Sequence, residues 1–225
     1  MTMQAVNAAD CTEPEARPNS LRARVKRLPG VGLARRALDA MTGARAEQWI
    51  RVEMNRACLE LVESLGPGNL DALEVSGDLW RGRCAFRSYR SAEYPAYDVC
   101  AGPLEERFDL ILADQVFEHL LWPYRAARNV HAMLRPGGYA LVSTPFMLRV
   151  HPCPVDCGRW TETGLKHLLA EGGFALEDIR TASWGNRAAV RGNLNRWPRY
   201  RPLLHSLRNE PAFPIVVWAL ARRGA

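Results

Sequence analysis

Two short, almost wholly apolar runs, residues 108–113 (FDLILA) and 139–144 (YALVST), are separated by one stretch of helical length. A run of that length without polar alternation suits a strand buried on both faces, and a helix-length connection is what joins parallel neighbours. Pro123 fits the first turn of a helix over residues 123–134, and Arg135-Pro136-Gly137-Gly138 ends that helix and turns the chain. A strand–helix–strand unit of this kind commits the chain to the α/β class.

The flanking patterns extend the unit. Trp49, Ile50, Met54, Cys58, Leu61 and Leu65 recur at helical spacing over residues 44–65, and Gly66-Pro67-Gly68 stops that helix. The period then changes. Residues 72–75 read as a buried strand ending at Ser76-Gly77, with two further short segments at 85–91 and 96–100. Residues 161–171 form a helix closed by Gly172-Gly173; residues 174–182 and 214–221 supply two last strands, with a helical or irregular stretch over 186–208 between them. The expected organisation is a disordered polar leader (1–19), an N-terminal helical cap (20–65) and an α/β domain (66–225). Within the cap, residues 20–42 are basic and break at Pro29-Gly30; they read as a solvated surface ahead of a lid or a weak contact with an anionic surface.

Composition narrows the setting. The formal net charge of +6 favours acidic partners only in a general way, because the arginines are spread along the chain. The first residues have neither a basic region nor an apolar core of a secretory signal, and the apolar run at 214–221 is too short to cross a bilayer. Six irregularly spaced cysteines do not form a secreted disulfide framework. These features point to the cytoplasm of a bacterium with the thiols reduced.

In an open parallel sheet, ligands bind outside the carboxyl ends of the strands. That rule gathers Ser76-Gly77-Asp78, residues 93–98, Asp114-Gln115 and residues 145–159 at one edge. Glu74, Ser76, Gly77 and Asp78 bring carboxylates and a permissive backbone to the first turn, which suits an adenosine-type ligand or equally an ordinary strand-to-loop turn.

Phe108-Asp109, Glu118-His119, Leu134-Arg135-Pro136-Gly137-Gly138, Pro145-Phe146 and Gly173-Phe174 stand in order over residues 108–174. This series resembles the second half of the class I S-adenosylmethionine-dependent methyltransferases. His151-Pro152-x-Pro154-x-Asp156-x-x-Arg159-Trp160-Thr161 resembles a segment of one branch that often serves small-molecule, sugar or glycan pathways. The resemblance implies a Rossmann-like sandwich, a mostly parallel seven-stranded sheet with an antiparallel last strand, and S-adenosylmethionine as cofactor. In the first half, Glu74-Val75-Ser76-Gly77-Asp78-Leu79-Trp80 keeps the acidic residue and one glycine of the family's nucleotide loop but lacks the first and third glycines.

The resemblance carries over Glu74 and Gly77 as cofactor contacts and expects a ribose-binding acid after the second strand, Glu93 ahead of Asp98; Ser76, Asp114 and Gln115 join them as candidate contacts by their place at the strand ends. Methyl transfer needs in-line positioning and, for an oxygen or nitrogen acceptor, a base. His151 and Asp156 follow the fifth predicted strand on the ligand side and are the candidate bases, with His119 a third; Arg159 and Trp160 are candidate acceptor contacts. Asp156 and Arg159 also read as a loop ion pair, and Trp184 and Trp197 as either pocket wall or core. His151-x-Cys153-x-x-x-Cys157 offers three zinc-type ligands, but two prolines and the lack of a fourth ligand weigh against it, so no metal is assigned. The expected reaction is methyl transfer to oxygen or nitrogen of a small molecule or sugar unit. Two other readings stand beside it. One is a catalytically degenerate scaffold, motivated by the altered glycine loop. The other is an RNA methyltransferase, disfavoured because residues 113–117 (ADQVF) lack the Asn/Asp-Pro-Pro-aromatic motif of base-amine enzymes.

Overall fold

The computed structural model describes residues 33, 37, 39–152 and 154–224. The expected leader, most of the 20–42 segment and Cys153 lie outside the described residues.

Six strands form one sheet: β1 (Asp71–Val75), β2 (Ser88–Ala92), β3 (Phe108–Asp114), β4 (Leu134–Pro145), β5 (Ile179–Trp184) and β6 (Val216–Arg222), in the spatial order β2-β1-β3-β4-β6-β5. The pairings β1–β2, β1–β3 and β3–β4 are parallel, while β6 runs antiparallel to both β4 and β5. The sheet is therefore mostly parallel with one antiparallel strand, the last in sequence. The α/β fold stands as expected, but with six strands in place of seven. Residues 96–100 form turns, where Asp98 Oδ1 accepts the Cys100 N–H at 2.8 Å. A short Asx-type turn of that kind satisfies the local backbone without a sheet neighbour.

Side-chain alternation divides the core between the two faces. Ile111 and Ala113 of β3 face one way, joined by Ala126, Ala127, Val130 and Met133 of α2 (Pro123–Met133) and Leu165, Leu168 and Leu169 of α3 (Glu162–Glu171). Leu110 and Leu112 face the other way, against Val52, Met54, Cys58 and Val62 of α1 (Val52–Ser64). Gly66, at φ 69°, stops α1 in the left-handed conformation that glycine tolerates. Thr161 caps α3 by accepting the Gly164 N–H at 3.1 Å.

The Arg135–Gly138 turn expected after α2 belongs to β4. Phe108 pairs with Leu134 but Leu110 pairs with Tyr139, so the extra β4 residues bulge out between the two registers. A Cβ on Gly138 would meet the carbonyls of Arg135 and Asp109, each at 3.0 Å, which explains a glycine there.

Candidate active site

Each strand end contributes one part of the edge predicted to hold ligand. After β1, Ser76 turns the chain at φ 56°, its N–H donating to the Ala92 carbonyl at 2.9 Å. The crossover to β2 then makes one 3-10 turn, Trp80–Gly82, and buries Trp80 completely. Glu74 builds this loop. Its buried carboxylate accepts the Leu79 N–H at 3.1 Å, the Trp80 N–H at 2.8 Å and the Tyr89 hydroxyl. A buried carboxylate is tolerable when donors surround it, and here all three donors come from the protein. A Cβ at Gly77 would press on Glu74 Oε1, which the same donors hold in place. Glu74 thus braces the loop from within the protein.

At the end of β2 the two candidate acids separate. Asp98 is spent on its own turn, whereas Glu93 is exposed and its carboxylate has no partner among the described residues. After β3, Asp114 accepts the Ser143 hydroxyl at 2.6 Å, and Arg51 and Arg83 each stand 4.0 Å from it. Gln115 takes φ 59°, and its N–H donates to the Ser143 carbonyl at 3.0 Å. Non-glycine residues at positive φ are uncommon, and one stands at the end of each of the two adjacent strands β1 and β3. Cys58, Trp80, Ala113, Asp114, Leu141 and Ser143 line a small pocket between these ends and α1. Trp80 Nε1 is buried there without a hydrogen-bond partner.

Beyond Gln115 a second group forms. Phe117 is buried in the 3-10 turn Phe117–His119 and anchors it, turning Glu118 inward to 1 % exposure. The Glu118 carbonyl accepts the N–H groups of Cys157 (2.7 Å) and Gly158 (3.2 Å), pinning the segment after β4 against this turn. His119 donates Nδ1–H to the Val155 carbonyl, leaving Nε2 as its unprotonated nitrogen, 3.6 Å from Glu118 Oε1. The His151 ring meets His119 edge-on at 5.1 Å and Trp197 at 5.8 Å. Burial pushes the Glu118 carboxyl up to about 8 and lowers the His151 imidazole to about 4, with His119 also lowered by burial.

Asp156 and Arg159 form the ion pair that their spacing allowed. Arg159 grips both Asp156 oxygens, with Nη2 to Oδ2 at 2.6 Å, and Asp156 also accepts the His151 N–H at 2.8 Å. Asp156 therefore positions His151 from behind. Trp160 packs against the α2–α3 face of the core and under Gly158, and Trp184 is core, while Trp197 walls the His151 side. His119 and His151 are brought together; Asp156 and Arg159 support them. Glu118 was visible in sequence only as half of a Glu-His pair, and Arg51, Arg83, Trp80 and Ser143 carried no local signal.

A methyltransferase-domain family model matches residues 21–208. The chain belongs to that family. No curated protein matches it. Among solved structures it is similar to a SAM-dependent methyltransferase from Archaeoglobus fulgidus, at 12 % identity, covering 76 % of this chain and 94 % of that one, with a TM-score of 0.49. A second, from Mesorhizobium loti, shares 17 % identity over 73 % and 96 % of the two chains, TM-score 0.45. Phosphoethanolamine N-methyltransferase 2 from Haemonchus contortus, in complex with S-adenosyl-L-methionine, shares 11 % identity over 74 % and 52 %, TM-score 0.51. The likeness is one of fold: class I, Rossmann-like.

S-adenosylmethionine is the cofactor this membership carries. The residues at the strand ends fit it. Glu93 offers an unpaired carboxylate for a ribose diol, the backbone takes positive φ at Ser76 and Gln115, and Trp80 Nε1 is a buried donor without a partner beside the pocket.

Proposed function

We propose that this chain transfers a methyl group from S-adenosylmethionine to an oxygen or nitrogen of a small molecule or sugar unit in the bacterial cytoplasm. The observation that carries the reading is the placement of the Glu118–His119–His151 group directly after the β3 end that holds Asp114 and Gln115. Donor and acceptor subsites are then contiguous, as in-line transfer requires.

Glu93 holds the ribose hydroxyls; Ser76, Gly77, Asp114 and Gln115 hold the rest of the donor, with the Asp114 carboxylate suited to an ammonium. When bound, the sulfonium supplies an electrophilic methyl group without a metal. The acceptor O–H or N–H meets the unprotonated nitrogens of His119 and His151, and Trp197 closes that side. Asp156 and Arg159 fix the His151 backbone.

The test is formation of S-adenosylhomocysteine from S-adenosylmethionine with pools of hydroxyl, amine and sugar acceptors. Turnover that drops about 100-fold in His119→Ala, the usual scale for loss of a proton acceptor, supports the assignment. Turnover untouched by both His119→Ala and His151→Ala overturns it. A second reading, a fold that binds without catalysing, is favoured by the self-satisfied Glu74 loop and predicts no turnover with any acceptor.

A further inference from the structure

We propose that Glu118, His119 and His151 form a binding site for a divalent transition-metal ion of the zinc class. One donor atom from each of the three lies within 4.8 Å of the others, with His119 Nε2 and Glu118 Oε1 already at 3.6 Å. Ligands on a tetrahedral ion at bond lengths of ~2.1 Å sit ~3.4 Å apart, so an inward turn of the His151 ring completes the set.

Three independent features single this group out. Neither Glu118 oxygen has a hydrogen-bond partner, although the side chain is 1 % exposed. Burial keeps this carboxyl protonated near neutral pH, and no arginine hydrogen-bonds it, Arg159 being paired with Asp156; a cation bound there would displace the proton. His119 gives its Nδ1–H to a backbone carbonyl, the contact that fixes the tautomer and ring direction of a metal-binding imidazole. His151 is likewise held from behind, by Asp156 through its backbone N–H. Two imidazoles and a carboxylate are the donor set of a catalytic zinc site, leaving a position open to a further ligand.

The thiol alternative fares worse. Cys157 is exposed and its sulfur is directed at the His119 carbonyl, 3.7 Å away, outside the three-donor group. An ion at the carboxylate site would lower the pKa of an approaching acceptor hydroxyl. With the ion bound both imidazoles are ligands, so the ion, in place of a free imidazole, activates the acceptor; that consequence rests on the methyl-transfer reading, and the binding itself does not.

The experiment is titration of the metal-stripped full chain with CoCl2 and ZnCl2, followed by visible absorption and equilibrium dialysis. One ion per chain is expected, with cobalt bands of nitrogen and oxygen ligation and no thiolate charge-transfer band. Loss of a partner that merely orients a ligand costs about 10–100-fold in affinity, so Glu118→Gln and His151→Ala should each cost at least about 100-fold. The Cys153→Ser/Cys157→Ser double variant should bind as the parent does. Circular dichroism checks the fold of each variant, and His151→Ala, in a loop, serves if Glu118→Gln is unstable. Three results overturn the proposal: no ion retained, an ion whose affinity ignores both ligand variants, or an ion lost with the cysteines. Titration of the same sample with S-adenosylmethionine separates failure of the metal site from failure of the methyl-transfer reading.

Discussion

Glu74 holds its loop together through three donors of the protein itself. By sequence it matches the acidic residue of a nucleotide loop, yet its three donors are Leu79, Trp80 and Tyr89. The missing glycines and the brace belong together: the loop folds onto Glu74 and buries an indole where a glycine-rich turn would leave backbone open. Glu74→Gln swaps an acceptor oxygen for an NH2 group and confronts buried N–H donors with another donor. Orphaning a buried polar group costs about 1–3 kcal/mol, so the urea midpoint should fall by the equivalent of about 2 kcal/mol, with a native-like spectrum before unfolding. An unchanged midpoint would show that the brace is dispensable. Spacing alone could not reveal this, because it depends on which way one carboxylate turns. The same limit applies to Glu118, whose isolation follows from Phe117 burying the turn beside it, and to Asp156, whose commitment to Arg159 had been one of two open readings.

At the scale of elements, the legible parts were those with strong periodicity or punctuation. The α1 helix, the β3–α2–β4 unit and the Thr161-capped α3 all follow from apolar spacing, Pro123 and the glycine stops. The β4 start was misplaced because a proline and two glycines read locally as a turn, while pairing with Phe108 draws Leu134 into the sheet. Residues 96–100 carry strand-like apolar residues, but Asp98 closes a turn and Val99 and Cys100 enter the core from it. Close packing of α2 on α3 depends on Gly172, where a Cβ would lie 2.7 Å from the Ala127 Cβ. Gly172→Val should force the helices apart and lower stability by about 1–3 kcal/mol, as overpacked cores do. Calorimetric melting is the measurement; a melting temperature at the parental value would mean that the contact yields freely.

For the molecule as a whole, stability and chemistry sit at opposite edges of the sheet. At the edge remote from the site, Asp71 and Asp109 share Arg87 and Arg135, with contacts of 2.6–2.9 Å that tie β1, β3 and β4 together. The hydrogen bond from Arg87 holds the Asp71 carboxyl well below the usual carboxylate range. A depressed folded pKa means that stability is fully present above the unfolded value near ~3.9 and is lost as the pH falls below it. Urea unfolding between about pH 5 and about pH 2 should therefore show a steeper loss in the parent than in Asp71→Asn. Parallel slopes would remove Asp71 from the account. Among the described residues, no helix is long and apolar enough to cross a membrane.

The central claim is that the strand ends bind S-adenosylmethionine with Glu93 at the ribose. Calorimetric titration of the full chain with S-adenosylmethionine and S-adenosylhomocysteine tests it. The account predicts one molecule bound per chain, with affinity lowered at least about tenfold in Glu93→Ala, the scale of one lost charge-assisted hydrogen-bonding group, and retained in Asp98→Ala. Binding of neither compound by the folded chain would contradict the claim.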